Sequence, residues 1–185
     1  FETIFPGFDD ELAKLGAPEL SYSNDISLYV GHGKLPRFPS FLKVRPCRRT
    51  WIDSLVRKRL ASISNIEIKS NIHVKQLDFD HKGNRVKGVI YSEHHQHDVS
   101  DVHSSTQLDA ELVVDCSGRG SKITKWLTEL GFPDVTSTVI DPKLGYASCL
   151  LKIPEAYSGT RGVEVAPHAP DNPRAAGLWE VEKGI

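Results

Sequence analysis

The chain contains no methionine and starts at Phe1, which is not how an intact reading frame is expected to begin. Its closing stretch, Gly177 to Ile185, alternates apolar and charged residues as a strand does and stops without a turn or cap, so both ends read as cut. Cysteine is scarce. Cys47, Cys116 and Cys149 are odd in number, far apart and free of any Cys-x-x-Cys spacing, which argues against a disulfide framework and a zinc knuckle and points to a reducing compartment. No apolar run is long enough to cross a bilayer, and no asparagine opens a glycosylation acceptor. An excess of charge is missing too: 23 basic residues meet 24 acidic ones, so the net charge of -1 gives no reason to expect a nucleic-acid partner. These absences together leave a soluble, cytoplasmic protein as the expectation.

What is present is enough apolar residue, 39% of 185, for one good-sized core. Residues 8–16 place Phe8, Leu12 and Leu15 at helical spacing and close on Gly16 and Pro18, so a short helix is predicted. Leu20 to Phe41 breaks into short apolar groups between glycines and prolines, as strands and loops do. A second helix is predicted from Thr50, with Thr50 as N-cap, Asp53 completing a variant capping box, and a stripe of Ile52, Leu55, Val56, Leu60 and Ile63. Alternation at Ile66, Ile68, Ile72, Val74 and Leu77, a turn at His81-Lys82-Gly83-Asn84, and then Val86, Val89 and Tyr91 predict a β-meander.

Further along, Leu112-Val113-Val114 has the continuous apolar character of a buried strand. It runs into Asp115-Cys116-Ser117-Gly118-Arg119-Gly120, after which Ser121 is placed to cap a helix with Ile123, Trp126, Leu127 and Leu130 on one face. A strand, a glycine loop and a helix in this order can hold a phosphate or ribose, because glycine lets a ligand approach the backbone and the helix start favours an anion. Taken without context, the same run is better read as a tight strand-to-helix turn with a capping serine. Gly145 to Leu151 and Gly162 to Ala166 predict two more strands.

Several residues invite chemistry and are better read otherwise. His94, His95, His97 and His103, with Asp98 and Asp101, have the side chains of a metal site, but they lie in a polar loop with no framework to fix ligand geometry, so no metal is assigned. Cys116 has no histidine nearby in sequence and reads as a small buried residue. Trp51 and Trp126 are spaced for burial. Arg57, Lys58 and Arg59 complement a helix terminus; Arg49 stays open between a cofactor contact and a surface ion pair.

The run from Leu112 through Ser121 and Trp126 to Pro133, followed by Gly145-Tyr146-Ala147, resembles FAD-dependent monooxygenases and oxidoreductases of the para-hydroxybenzoate hydroxylase type. Arg49, Ile52 and Asp53 are similar to the Arg-x-x-Leu-Glu helix of that family, and Phe5-Pro6-Gly7-Phe8 to the helix before it; the order of these features covers nearly the whole chain. The family's N-terminal Gly-x-Gly-x-x-Gly and C-terminal Gly-Asp motifs are absent, so the chain resembles an internal fragment, expected to be inactive and not to retain FAD alone.

The resemblance implies an α/β fold: a partial FAD-binding doubly wound domain with part of a β-sheet substrate domain. Residues 1–18 and 46–133, the latter with the meander, would belong to the FAD domain, 19–45 to an excursion toward the substrate domain, and 134–185 to the start of that sheet. It implies FAD as cofactor, NADH or NADPH as co-substrate, and insertion of one oxygen atom into a small aromatic or lipophilic substrate. Arg49, Asp115, Gly118, Arg119 and Ser121 match positions beside the dinucleotide, and Tyr146 falls in a strand that could line the substrate pocket. A ring reductase or halogenase using FAD is the alternative enzyme, and a non-catalytic remnant the alternative outside enzymes.

Overall fold

The computed structural model describes residues 2–31, 33–93, 105–156 and 159–182. The histidine stretch, His94 to His103, lies outside them. In chain order the elements begin with α1 (Phe8–Lys14), β1 (Leu20–Ser21), α2 (Tyr22–Asp25), β2 (Ile26–Val30), β3 (Gly33–Lys34), β4 (Lys43–Val44) and α3 (Arg49–Ala61). There follow β5 (Ile72–Asp80), β6 (Arg85–Glu93), β7 (Thr106–Asp109), a single 3-10 turn at Gly118–Gly120, α4 (Ile123–Glu129), β8 (Gly162–Val165) and β9 (Ala176–Trp179). The chain divides into two compact units, Phe1–Glu67 with Tyr146–Ile185, and Ile68–Gly145.

In the first unit α1 and α3 share a small core, because their apolar stripes place Phe8, Leu12 and Leu55 on facing sides with Ala17 between them, and Phe5, Trp51, Ile52 and Val56 pack around it. Two arginines tie this core to its surroundings. Arg59 donates to the Pro6 carbonyl (2.9 Å) and to Glu11 Oε1 (2.9 Å), with its guanidinium over the Phe5 and Phe8 rings. Arg45 grips Asp9 with both arms of its fork (2.7 and 2.8 Å) and reaches the Ala17 carbonyl (2.8 Å). The helix predicted from Thr50 starts instead at Arg49, and no side chain caps it: Asp53 faces Arg49 one turn back (3.7 Å) rather than closing a capping box.

A four-stranded sheet of order β3-β2-β8-β9 completes the first unit. β2 and β8 run parallel, Ile26 beside Gly162 and Tyr29 beside Val165, and β9 joins antiparallel with Leu178 opposite Val163. Ile26 and Ser27 are the buried centre of this sheet, and Arg37 Nη2 donates to the Ser27 hydroxyl (2.7 Å). Gly162 is there because Ile26 leaves no room: an added Cβ would stand 3.0 Å from Ile26 Cγ1.

The second unit contains the expected meander, antiparallel in the order β5-β6-β7. Its hairpin turns over 81–84, with Asn84 at φ 49°, the left-handed conformation that asparagine tolerates. Leu77 and Tyr91 are buried, and Phe79 meets Phe132 edge-on at 5.6 Å beyond α4.

Three predicted strands differ. Leu112–Val114 is extended but unpaired, with Leu112 78% and Val114 71% exposed, and Gly145–Leu151 also forms no ladder. The meander starts at Ile72, not at Ile66. An apolar run becomes a strand only where another strand accepts its N–H and C=O groups. Among the described residues none pairs with these segments.

Candidate functional site

Arg49 and Tyr146 lie in the first unit, and Asp115, Gly118, Arg119 and Ser121 in the second. Arg49 is the first residue of α3, where the core beneath Leu55 holds the helix in place while its own side chain projects, 91% exposed, with only the 3.7 Å pair to Asp53 among the described residues. Its fork is therefore available to an anion. The neighbouring Arg48 behaves differently: it stacks on the Trp51 ring (5.0 Å) and donates Nη2 to Glu182 (2.8 Å), while its Nε is buried without a partner among the described residues.

These two arginines open onto a concave surface of the first unit, a cavity of about 740 Å³. The start of α3, the segment 148–154, and strands β8 and β9 with their flanks form its walls. Leu150, Leu151 and Leu178 stand in it more than half exposed, so the cavity presents apolar surface of the kind that concave ligand sites use. Among the described lining residues Arg48, Arg49, Lys152 and Arg161 supply positive charge and Glu180 negative charge. Arg161 Nε is paired with Glu180 (2.6 Å), which raises the Arg161 pKa, whereas Lys152 has no ionic partner among the described residues. Cys47 and Cys149 also line the cavity; burial raises the Cys47 thiol pKa, and Cys149 is exposed.

On the second unit the glycine loop is held from within by Asp115. Its Oδ1 accepts from the Ser117 N–H (2.8 Å) and its Oδ2 from the Ser121 hydroxyl (2.5 Å), while the Ser121 oxygen accepts the Ile123 N–H (3.1 Å). The Ser117 and Ser121 side chains, followed by the Ser117 backbone, hold the Asp115 carboxyl below its usual pKa. Asp115 thus shapes the turn; Ser121, predicted to cap the helix, stands one residue before the actual N-cap, Lys122, which has no side-chain cap bond, and the Ser121 oxygen accepts the Ile123 N–H within the turn. Gly118 has φ 74°, which glycine adopts freely, and an added Cβ at Gly118 or Gly120 would meet nothing within 4 Å, so the backbone is open to an approaching group. Arg119 lies exposed on the 3-10 turn.

Two expectations are corrected by position. Tyr146, expected in a pocket-lining strand, belongs to no strand and is 96% exposed outside the cavity. Cys116 is exposed rather than buried, because the strand that was to bury it has no pairing partner. No sequence pattern marks Lys152 or Trp179 as cavity residues, nor Tyr22 as donating to Glu164 (2.8 Å) beside the Trp179 ring, a bond that raises the Tyr22 pKa. These pairings join residues some 140 positions apart, as the separation of 142 between Tyr22 and Glu164 shows, and no local pattern announces them.

Among the described residues, no helix is long and apolar enough to cross a membrane. No protein-family model matches the chain. It is similar to Protein Rv3254 of Mycobacterium tuberculosis, at 27% identity over 192 residues that cover 100% of this chain and 39% of that protein. The chain therefore spans about two fifths of the length of the curated relative it matches.

Proposed function

We propose that this chain is part of an FAD-dependent monooxygenase of the para-hydroxybenzoate hydroxylase type, with an α/β flavin-binding portion and part of a substrate-binding sheet. The observation that carries the reading is Arg49, an exposed and nearly unpaired guanidinium at the edge of an apolar cavity. It joins the order of sequence features that resemble the family. Each unit by itself carries a feature suited to an anionic group: in the first, the exposed Arg49 fork would meet a phosphate, and in the second, the open backbone at Gly118 and Gly120, shaped by Asp115 and Ser121 beside Arg119, would accept close approach. When bound, FAD would supply the redox chemistry, taking reducing equivalents from NADH or NADPH and passing them to oxygen.

The chain's own residues would bind and orient. Asp115 fixes the turn through both carboxylate oxygens, and the exposed leucines of the cavity would cover part of an apolar substrate. The deciding experiment is the absorption spectrum of the purified full-length protein, followed by NAD(P)H-dependent oxygen uptake. A yellow protein that incorporates oxygen into product is expected. A colourless protein that gains no flavin on titration with FAD refutes the reading, and a flavoprotein that reduces or halogenates its substrate moves it to the sister reactions.

A further inference from the structure

We propose that the cavity of the first unit binds a long, mainly aliphatic molecule that ends in a carboxylate. Calling that molecule the substrate rests on the flavin reading; the binding itself does not. Three observations carry it. The first is the wall: Leu150, Leu151, Ile153, Val163, Leu178 and Val181 are aliphatic, with Trp179 the single aromatic among the described lining residues. A stacked planar ring would be met by aromatic faces, whereas branched aliphatic walls match a flexible hydrocarbon chain.

The second is size. About 740 Å³ is within the range of cavities that enclose ligands of several hundred daltons, and leucines more than half exposed are left for an apolar body to cover. The third is charge. On a chain of net charge -1 the lining carries four cationic residues and one acidic residue, and Glu180 is already engaged by Arg161. Arg48 is engaged by Glu182, and Lys152 is left without an ionic partner among the described residues. An anionic end group answers the Lys152 ammonium, a neutral one only in part, and a cationic one not at all. Arg49, with its exposed fork, stays free for the phosphate that the flavin reading assigns to it.

Cys149 is a reporter already in place, exposed on the cavity wall, and Cys116 is an exposed thiol outside the cavity that serves as internal control. Alkylate this chain with N-ethylmaleimide and follow each cysteine by peptide mass spectrometry, with decanoate, decanol or decyltrimethylammonium as the probe. At ten times its Kd, decanoate is expected to slow Cys149 alkylation about tenfold by mass action while Cys116 keeps its rate. Decanol should protect more weakly and the ammonium least. Lys152→Glu, an exposed residue whose change leaves the fold alone, should weaken decanoate about three- to tenfold and leave decanol unchanged, as expected for reversing one partly solvated charge. Leu178→Asp, on an exposed position of β9, should weaken all three probes. Equal protection by the three probes, protection of Cys116 to the same degree, or an unchanged decanoate Kd in Lys152→Glu would overturn the proposal. The spectrum of the full-length protein is independent of these outcomes: a colourless protein whose cavity still selects decanoate removes the flavin and keeps the carboxylate, and a flavoprotein without that selectivity does the reverse.

Discussion

Leu55→Ala tests whether the seat of α3 decides the shape of the cavity. Leu55 is 8% exposed and belongs to a cluster in which only Phe8, Leu12 and Ala17 are buried with it. Replacing its isobutyl side chain by methyl withdraws three methylene equivalents at about 0.8 kcal/mol each, or about 2.4 kcal/mol of transfer free energy. A residual void adds to this, and the measured range for such changes is about 2.7–5 kcal/mol. The lower end, about 3 kcal/mol, applies here because the half-buried Ile52 and Val56 border the site and can partly close it. With a urea dependence of about 1.5 kcal/mol per molar, the midpoint of the first unit should fall by about 2 M.

Two units need not unfold together, so the probe has to be confined to one of them. Trp51 and Trp179 belong to the first unit and Trp126 to the second; in a Trp126→Phe background, tryptophan fluorescence reports the first unit alone. The reasoning fails if the midpoint moves by less than about 0.5 M at unchanged slope, since such a shift corresponds to under about 1 kcal/mol and Leu55 would then not be a core residue. As α3 loosens, Arg48 and Arg49 lose their fixed start, and protection of Cys149 by decanoate should vanish at the same urea concentration as the fluorescence change.

Arg45→Lys should cost about 1 kcal/mol although the charge is kept, because an ammonium cannot hold both oxygens of the half-exposed Asp9 and the Ala17 carbonyl together; equal melting temperatures would refute it. The hydrogen bond from Arg45 holds the Asp9 carboxyl below its ordinary pKa, so this stabilisation is fully present above about pH 4 and is lost as pH falls through the lowered folded value; the gap between wild type and variant should close there. Gly88→Ala puts a Cβ onto the Leu108 carbonyl of β7, so the short, fully exposed edge strand should peel from β6, read as lost amide-exchange protection at Ala110, whose N–H bonds the Lys87 carbonyl (2.6 Å), with the β5–β6 pairing retained. In the full-length protein Arg49→Ala should weaken FAD binding by about 1.5–3 kcal/mol with helix content unchanged, and unaltered retention would leave Arg49 a surface ion pair with Asp53.

The sequence by itself determined the elements whose reasons are local. The spacing of Phe8 and Leu12 makes α1, the stripe through Leu55 makes α3, the turn at 81–84 makes the β5–β6 hairpin, and the apolar run after Gly162 makes β8. In each case the period that identifies the element also buries its apolar face. Where the start of α3 lies was not local: Thr50 and Asp53 have the composition of a capping box, yet the pair formed is Asp53 with Arg49, one residue before the predicted cap. Leu112–Val114 and Gly145–Leu151 carry strand-like residues and remain unpaired, since whether an apolar run becomes a strand depends on a partner elsewhere in the chain. The tertiary structure alone set β2 beside β8, about 135 residues apart in the chain, as the Thr160 hydroxyl bonded to the Asp25 carbonyl also records. That parallel pairing brings β8 and β9 under the start of α3, so Arg48, Lys152 and Leu178 come to line one cavity. Contacts of such separation close long loops and leave no trace in a local window, which is why the candidate arginine was legible in the sequence and the cavity it borders was not.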